Sequence, residues 1–267
     1  MKIRRMFGTD GVRDVANRGL MTPEIAIRLG RAFTVFLLNR GVGSPKVVVG
    51  RDTRISGQMI ESALSAGIAS AGGDVYAIGE IPTPGVSHAL SSGDFDGGAV
   101  ISASHNPAEY NGIKYLDGAG FKLSDEEELQ IEELFESDGR GVRPIQGGVG
   151  RIHDAGDLTA DYLDFLLEIM DKVQNREHSI LIDAANGAAS AMVEPLFKNW
   201  RGPVSIFANR PDGLNINSGV GVTNMDFLSR KTIDSKAEVG IAYDGDTDRV
   251  LMCDGKGRII DGDIMLW

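Results

Sequence analysis

The 267-residue chain has a single cysteine, Cys253, so it can form no internal disulfide, and that scarcity fits a reducing compartment. Long apolar runs are missing. Stretches such as Phe33 to Leu38 fall far short of the roughly 20 residues needed to cross a bilayer. The apolar segment of a secretory leader is missing too: Lys2, Arg4 and Arg5 are followed by Phe7-Gly-Thr-Asp-Gly-Val. The chain therefore reads as cytoplasmic and unprocessed, with no membrane partner. Excess basic charge is absent, with 27 basic residues against 38 acidic ones and a net charge of −11. That balance argues against general nucleic-acid binding and against docking on anionic lipid, although a local cleft can still receive a small anion. Neither a Walker A loop nor a GxGxxG fingerprint occurs.

What is present is the composition of a folded protein: 42% hydrophobic and 24% charged residues. The length suits about two domains. The 35 glycines are spread over many turns and form no low-complexity tract. Lys46 to Gly50, Val75 to Ile78 and Gly98 to Ser102 read as strands. Ser56 to Ala71 has helical spacing, with Ser56 as its N-cap and Gly72-Gly73 as its stop. Pro82-Thr-Pro84 breaks the chain before a short helix from Gly85 to Leu90. A second β-α-β-α-β series follows: strands at Ser179–Asp183, Val204–Phe207 and Val239–Tyr243, with helices at Ala188–Trp200 and Met225–Ile233. Val250 to Cys253 adds a strand, with Gly255-Lys-Gly257 as a hairpin turn. Between the series lie an acidic helix from Ser124 to Phe135, the glycine-rich stretch Ser137 to Gly150, and a helix from Leu158 to about Lys172. The fold class is α/β, with two tandem domains whose mixed, mostly parallel sheets are flanked by helices. The boundary is expected near 155. Asp261 to Trp267 opens an apolar element and stops inside it, which reads as a truncated chain.

In open parallel sheets, ligands gather beyond the carboxyl ends of strands. Two loops sit at such ends. Ala103-Ser-His-Asn-Pro107 follows the third strand. Its serine could be a nucleophile or a phosphorylation site, but it lacks the glycines of a hydrolase elbow, and Asn-Pro also suits an ordinary turn. Asn111-Gly-Ile-Lys114 supplies a cation downstream. The second loop, Asp244-Gly-Asp-Thr-Asp-Arg249, packs three carboxylates into five residues. At ~4 Å each like-charged pair costs ~1 kcal/mol in water and ~4 kcal/mol near a protein surface. A bound cation removes that penalty, and hard oxygen donors favour Mg²⁺ or Ca²⁺ over zinc. The loop is not an EF-hand, because Arg249 and Gly255 stand where that motif needs glycine and glutamate. A solvated acidic turn is the alternative. Phe7-Gly-Thr-Asp-Gly-Val-Arg13 and Gly50-Arg-Asp-Thr-Arg-Ile-Ser-Gly57 are glycine-bearing loops whose Arg13, Arg51 and Arg54 could neutralise phosphate. Asp183-Ala-Ala-Asn-Gly-Ala188 reads as helix capping. Together these loops point to metal-assisted phosphoryl transfer.

The two glycine loops, Pro82-Thr-Pro84, Ser102-Ala-Ser-His-Asn-Pro107 with Asn111-Gly-Ile-Lys114, and Asp244-Gly-Asp-Thr-Asp-Arg249 resemble, in this order, the α-D-phosphohexomutase superfamily. The Arg-Asp-Thr-Arg-Ile-Ser-Gly loop tilts the resemblance toward the branch acting on glucosamine phosphates. The resemblance implies that Ser104 carries a transferable phosphoryl group. Asp244, Asp246 and Asp248, with an oxygen of phosphorylated Ser104, would hold Mg²⁺. His105 and Lys114 would sit beside the reacting oxygens. Arg13 and Arg249 would orient the serine loop, with Asn106 supporting. The implied reaction interconverts glucosamine 6-phosphate and glucosamine 1-phosphate through a hexose 1,6-bisphosphate, for amino-sugar nucleotide and cell-wall precursor synthesis.

The implied domains are 1–155, bearing the serine loop; 156–256, bearing the metal loop; and 257–267, opening a third. Family members have four domains. This chain would lack the sugar-recognising and phosphate-clamping loops of the last two, and so would not run the full cycle alone. Two local departures stand out: Asp14 replaces a usual glycine, and in the family-like segment from Asn215-Ile-Asn217 through Thr223-Asn224, Val220-Gly-Val-Thr-Asn224 stands where the family usually reads Cys-Gly-Ser-Thr-His. Three alternatives are a glucose or mannose phosphate mutase, a phosphatase using Asp244 as nucleophile, and a non-catalytic two-domain module.

Overall fold

The computed structural model describes residues 6–173 and 177–265; Lys2, Arg4, Arg5 and Trp267 lie outside them. Contacts divide the chain into two units. The first comprises Met1–Arg51, Ser56–Ala103 and Glu109–Thr159, and the second Asp52–Ile55, Ser104–Ala108 and Ala160–Trp267. No helix among the described residues is long and apolar enough to cross a membrane.

The first unit runs β1 (Val12–Val15), α1 (Pro23–Asn39), β2 (Lys46–Arg51), α2 (Gly57–Ser70), β3 (Asp74–Glu80), α3 (Thr83–Ser92), β4 (Gly97–Ile101), β5 (Tyr110–Asp117), α4 (Asp125–Glu136) and β6 (Ile152–Asp154). The sheet order is β1-β5-β4-β2-β3-β6. β2 pairs in parallel with β3 and β4, and β6 with β3, while β5 runs antiparallel to both β4 and β1. Strand alternation sorts the core into two faces. Val47, Val49, Ala99 and Ile101 join α1, α2 and α4 in one cluster. Val86 and Leu90 of α3 lie over Gly50 and Gly98 on the other face.

The local chemistry explains these elements. The capping box of α4 is complete: Ser124 Oγ accepts from the Glu127 amide, and the Glu127 carboxylate accepts from the Ser124 amide. Ser56 does occupy the N-cap position of α2, but its side chain makes no cap bond; instead its hydroxyl accepts from Asn111 Nδ2 at 2.9 Å. α1 begins at Thr22, which accepts from the Ile25 amide, with Pro23 in the first turn. It crosses α2 closely enough that a Cβ on Gly67 would run into the carbonyl oxygen of Ile27, and one on Gly30 into that of Leu64.

The second unit contains α5 (Asp157–Lys172, which begins in the first unit), β7 (Ile180–Asp183), α6 (Val193–Leu196), β8 (Val204–Phe207), α7 (Met225–Ser235), β9 (Val239–Tyr243), β10 (Val250–Asp254), β11 (Ile259–Ile260) and α8 (Gly262–Met265). The sheet order is β11-β10-β9-β7-β8. β7 is parallel to β8 and β9, and β10 is antiparallel to β9 and β11. The single helix expected over Ala188–Trp200 is instead a 3₁₀ turn at Ala188–Ala191 followed by the one-turn α6. Pro195 has no N–H to donate to the residue four before it, so a continuous helix loses a bond there.

The two sheets place their loops in the same way. β2 and β4 are neighbours and end side by side, Arg51 opposite Ile101. β7 and β9 are neighbours and end with Asp183 opposite Ala242. The residues with chemistry follow these carboxyl ends.

Candidate active site

Within the second unit, β9 delivers its chain directly into the acidic loop. The Thr247 amide donates to the Asp244 carbonyl at 3.1 Å, closing a tight turn. This turn brings carboxylate oxygens of Asp244, Asp246 and Asp248 within 4.8 Å of one another. Asp244 and Asp246 are buried, and Asp248 is exposed. Carboxylates held so close repel, the more so for the buried pair Asp244 and Asp246, and three hard oxygen donors suit a hard divalent cation. The triad fits a metal on both counts.

Ser104 lies in the same unit and is fully buried. Its hydroxyl donates to Asp244 Oδ2 at 2.6 Å. Arg249 binds this pair from one side. Its backbone amide donates to Asp244 Oδ1 and its Nε to Asp244 Oδ2, both at 3.1 Å, and its Nη2 contacts Ser104 Oγ. The same Nη2 lies 2.6 Å from His105 Nδ1. A guanidinium can only donate, so Nδ1 accepts, and the proton of a neutral His105 sits on Nε2.

The backbone of Ser104 is in the left-handed region, at φ +51°. For a residue with a side chain this costs about 1–3 kcal/mol and persists only where the surroundings enforce it. Those surroundings include residues that the sequence motifs do not assign to the loop. Arg54 Nη2 donates to the carbonyls of Ser104 (3.0 Å) and Asn106 (2.9 Å), and Nη1 donates to that of Pro107. Arg54 Nε donates to Asp52 Oδ2 at 2.9 Å. Asn217 Nδ2 also reaches the carbonyls of Ser104 (2.8 Å) and Asn106 (3.1 Å). Arg54, read from sequence as a phosphate neutraliser, is thus buried and spends its donors on loop carbonyls. Arg51, read the same way, pairs with Glu61 and Glu80. Asn106 takes part through its carbonyl.

Arg13 and Lys114 lie in the first unit. Both pair with Asp10, Lys114 at 3.0 Å, and Arg13 Nη1 lies 3.5 Å from the Ala103 carbonyl. Asp10, within the Phe7–Arg13 motif, is the residue that joins them, a role that the sequence does not assign it. The unusual Asp14 caps its own turn, accepting from the amides of Val15 (2.8 Å) and Leu20 (2.9 Å). The Leu20 and Val15 N–H bonds hold its carboxyl below the usual range.

Asp183 is a further buried carboxylate. Read from sequence as part of a helix-capping segment, it accepts from the amides of Ala185 (2.9 Å) and Gly221 (2.7 Å). The departing segment Val220–Asn224 is therefore held through its main chain: Gly221 N–H on Asp183, and Val222 N–H on the Tyr243 carbonyl at 3.2 Å. Burial pushes Asp183 up to about 6, against the downward pull of the Gly221 and Ala185 N–H bonds. A carboxyl raised in the folded state contributes stability below its unfolded value, near 4, and that contribution is lost as pH rises through about 6. The full span is worth about 3 kcal/mol. We expect the Asp183 carboxyl carbon, followed by NMR in a ¹³C-labelled sample, to titrate near pH 6. A midpoint below 5 would contradict the burial argument.

Comparison with known proteins bears on this geometry. The phosphoglucomutase/phosphomannomutase alpha/beta/alpha domain I model matches residues 4–141, and the domain II model matches residues 160–257. The chain is 45% identical over 264 residues to the phosphoglucosamine mutase of Bacillus subtilis (strain 168), and 44% identical over 265 residues to that of Caldicellulosiruptor saccharolyticus. In both cases the match covers 98% of this chain and 58% of the relative. A crystal structure of a phosphoglucomutase/phosphomannomutase family protein from Burkholderia thailandensis superposes with a TM-score of 0.81 at 28% identity, covering 97% of this chain and 56% of that one. Two matched models together take in the serine loop, the acidic loop and every strand of the two sheets except the edge strands β6 and β11, and on that ground the chain belongs to the phosphoglucomutase/phosphomannomutase family.

Proposed function

We propose that the chain is the phosphoryl-carrying part of a phosphoglucosamine mutase. The observation that supports this most directly is the 2.6 Å bond from a buried serine hydroxyl to a carboxylate of a three-aspartate cluster. The curated relatives at 44–45% identity are phosphoglucosamine mutases, and the chain spans 58% of their length, so the mutase activity is proposed of the whole protein.

In this reading, phosphorylated Ser104 donates its phosphoryl group to glucosamine 6-phosphate. The sugar hydroxyl oxygen forms the new bond to phosphorus as the bond to Ser104 Oγ breaks, with a net transfer of the sugar hydroxyl's proton to Ser104 Oγ, and a hexosamine 1,6-bisphosphate results. After reorientation, Ser104 Oγ attacks the other phosphoryl group. Glucosamine 1-phosphate leaves, and the phosphoserine is restored. Asp244, Asp246 and Asp248 would hold Mg²⁺, which when bound supplies charge neutralisation at the phosphoryl oxygens. Asp244 is placed to accept the serine proton. Arg249 orients Ser104 and fixes the His105 tautomer, leaving Nε2–H as a donor toward a reacting oxygen. By the family resemblance Arg13 would orient the serine loop and Lys114 would serve the reacting oxygens; within the first unit both pair with Asp10. A cytoplasmic setting accords with this chemistry and with the free thiol of Cys253.

The test is site mapping. The chain is incubated with Mg²⁺ and glucose 1,6-bisphosphate, then digested and analysed by mass spectrometry. A phosphoryl group on Ser104 is expected. Modification of Asp244 instead would favour the phosphatase alternative, and no modification at all would sink the reading.

A further inference from the structure

We propose that Asn217 is a positioning residue for Ser104: its side-chain amide holds the serine in the left-handed conformation that aims Oγ at Asp244. The inference rests on the reading of Ser104 as the phosphoryl carrier, and deepens it.

Three observations carry it. First, the Asn217 amide nitrogen bridges two carbonyls of one loop, those of Ser104 and Asn106, at 2.8 and 3.1 Å. Bridging residues two apart fixes the curvature of the segment between them and not merely its location. Second, Asn217 is itself held rigidly. Its backbone amide donates to the Ala185 carbonyl at 2.9 Å, and its own φ is +58°, a conformation asparagine tolerates better than most residues. Third, the space around the contact is shaped for it. A Cβ on Gly245 would lie 2.6 Å from the Ser104 carbonyl oxygen and 2.9 Å from Asn217 Nδ2. Glycine at 245 thus leaves room for the amide–carbonyl contact within the acidic loop itself.

Arg54 binds the same two carbonyls, so the loop is gripped by two donors. They differ in kind. Arg54 is charged and also serves Asp52 and Pro107, whereas Asn217 is neutral, with its amide nitrogen given to these two carbonyls. Asn217 is therefore the residue whose removal isolates positioning from charge.

The experiment uses Asn217→Asp, which keeps shape and left-handed tolerance but turns the donor into an acceptor facing two carbonyl oxygens. Asn217→Gly, which keeps the backbone and deletes the amide, guards against a variant that does not fold. Crystal structures of both are expected to show Ser104 out of the positive-φ region, with Oγ no longer bonded to Asp244. Single-turnover phosphorylation by glucose 1,6-bisphosphate with Mg²⁺ is expected to slow about 100-fold at saturating donor. The donor concentration giving half the maximal rate should stay unchanged. Ser104 remaining near +51° with its Asp244 bond intact in a folded variant would overturn the inference. Failure of the unsubstituted chain to become phosphorylated would overturn the carrier reading instead, and the crystallographic arm would still decide the role of Asn217.

Discussion

Replacing Arg54 with alanine is expected to destabilise the second unit by about 3–5 kcal/mol, the range found when one partner of a buried ion pair is removed. Arg54 and Asp52 are both almost wholly buried, and the guanidinium also satisfies the carbonyls of Ser104, Asn106 and Pro107. Alanine deprives all of them at once. Arg54→Lys is expected to recover less than half of the loss, because an ammonium is a point donor and cannot fork to an aspartate and three carbonyls. Denaturant unfolding followed by tryptophan fluorescence is the measurement, since Trp200 belongs to the second unit. A loss under about 1 kcal/mol, the scale of an exposed ion pair, would show that the pairing contributes little.

Asp246→Asn should act in opposite directions on the metal-free and metal-bound protein. Three carboxylates whose oxygens lie within 4.8 Å repel by about 1–4 kcal/mol per pair, depending on how dry the site is. Removing one charge should therefore leave metal-free stability unchanged or raised. The same change removes a hard anionic donor, and Mg²⁺ affinity should fall by more than the roughly 10–100-fold that changes outside the ligand set cost. Titration calorimetry gives the affinity. Thermal unfolding with and without Mg²⁺ gives both signs at once: the original chain should gain stability on adding Mg²⁺, and the variant should not. An equal gain in both would remove Asp246 from the metal site.

The regular elements that sequence reveals well are those with one-sided burial or compact β-branched runs. β2 and β9 read directly, and α2 shows its helical spacing. α1 carries a polar stripe only in its first half, at Glu24, Arg28 and Arg31; Ala32 to Leu37 are then buried without interruption, so the period fades over the second half. β1 and β6 have four and three residues, too few to show alternation. At the site, Ser104 and the aspartates stand out because their loops are contiguous motifs. Arg54 also lies in a motif, but its role there and that of Asn217 stay hidden, because they depend on burial and on partners 50 and 113 residues away. Asp10 and Asp183 lie within motifs too, but only the fold shows that one joins two cations and the other is dry.

The crossing of α1 and α2 limits how this protein can be made more heat-tolerant. Exchanging helical glycine for alanine usually stabilises by reducing the freedom of the unfolded chain. At positions 30 and 67 the added methyl would meet rigid main chain of the opposing helix, so the customary gain becomes a steric loss. Gly43 and Gly147, where an added Cβ would meet nothing within 4 Å, are the places where such engineering should begin.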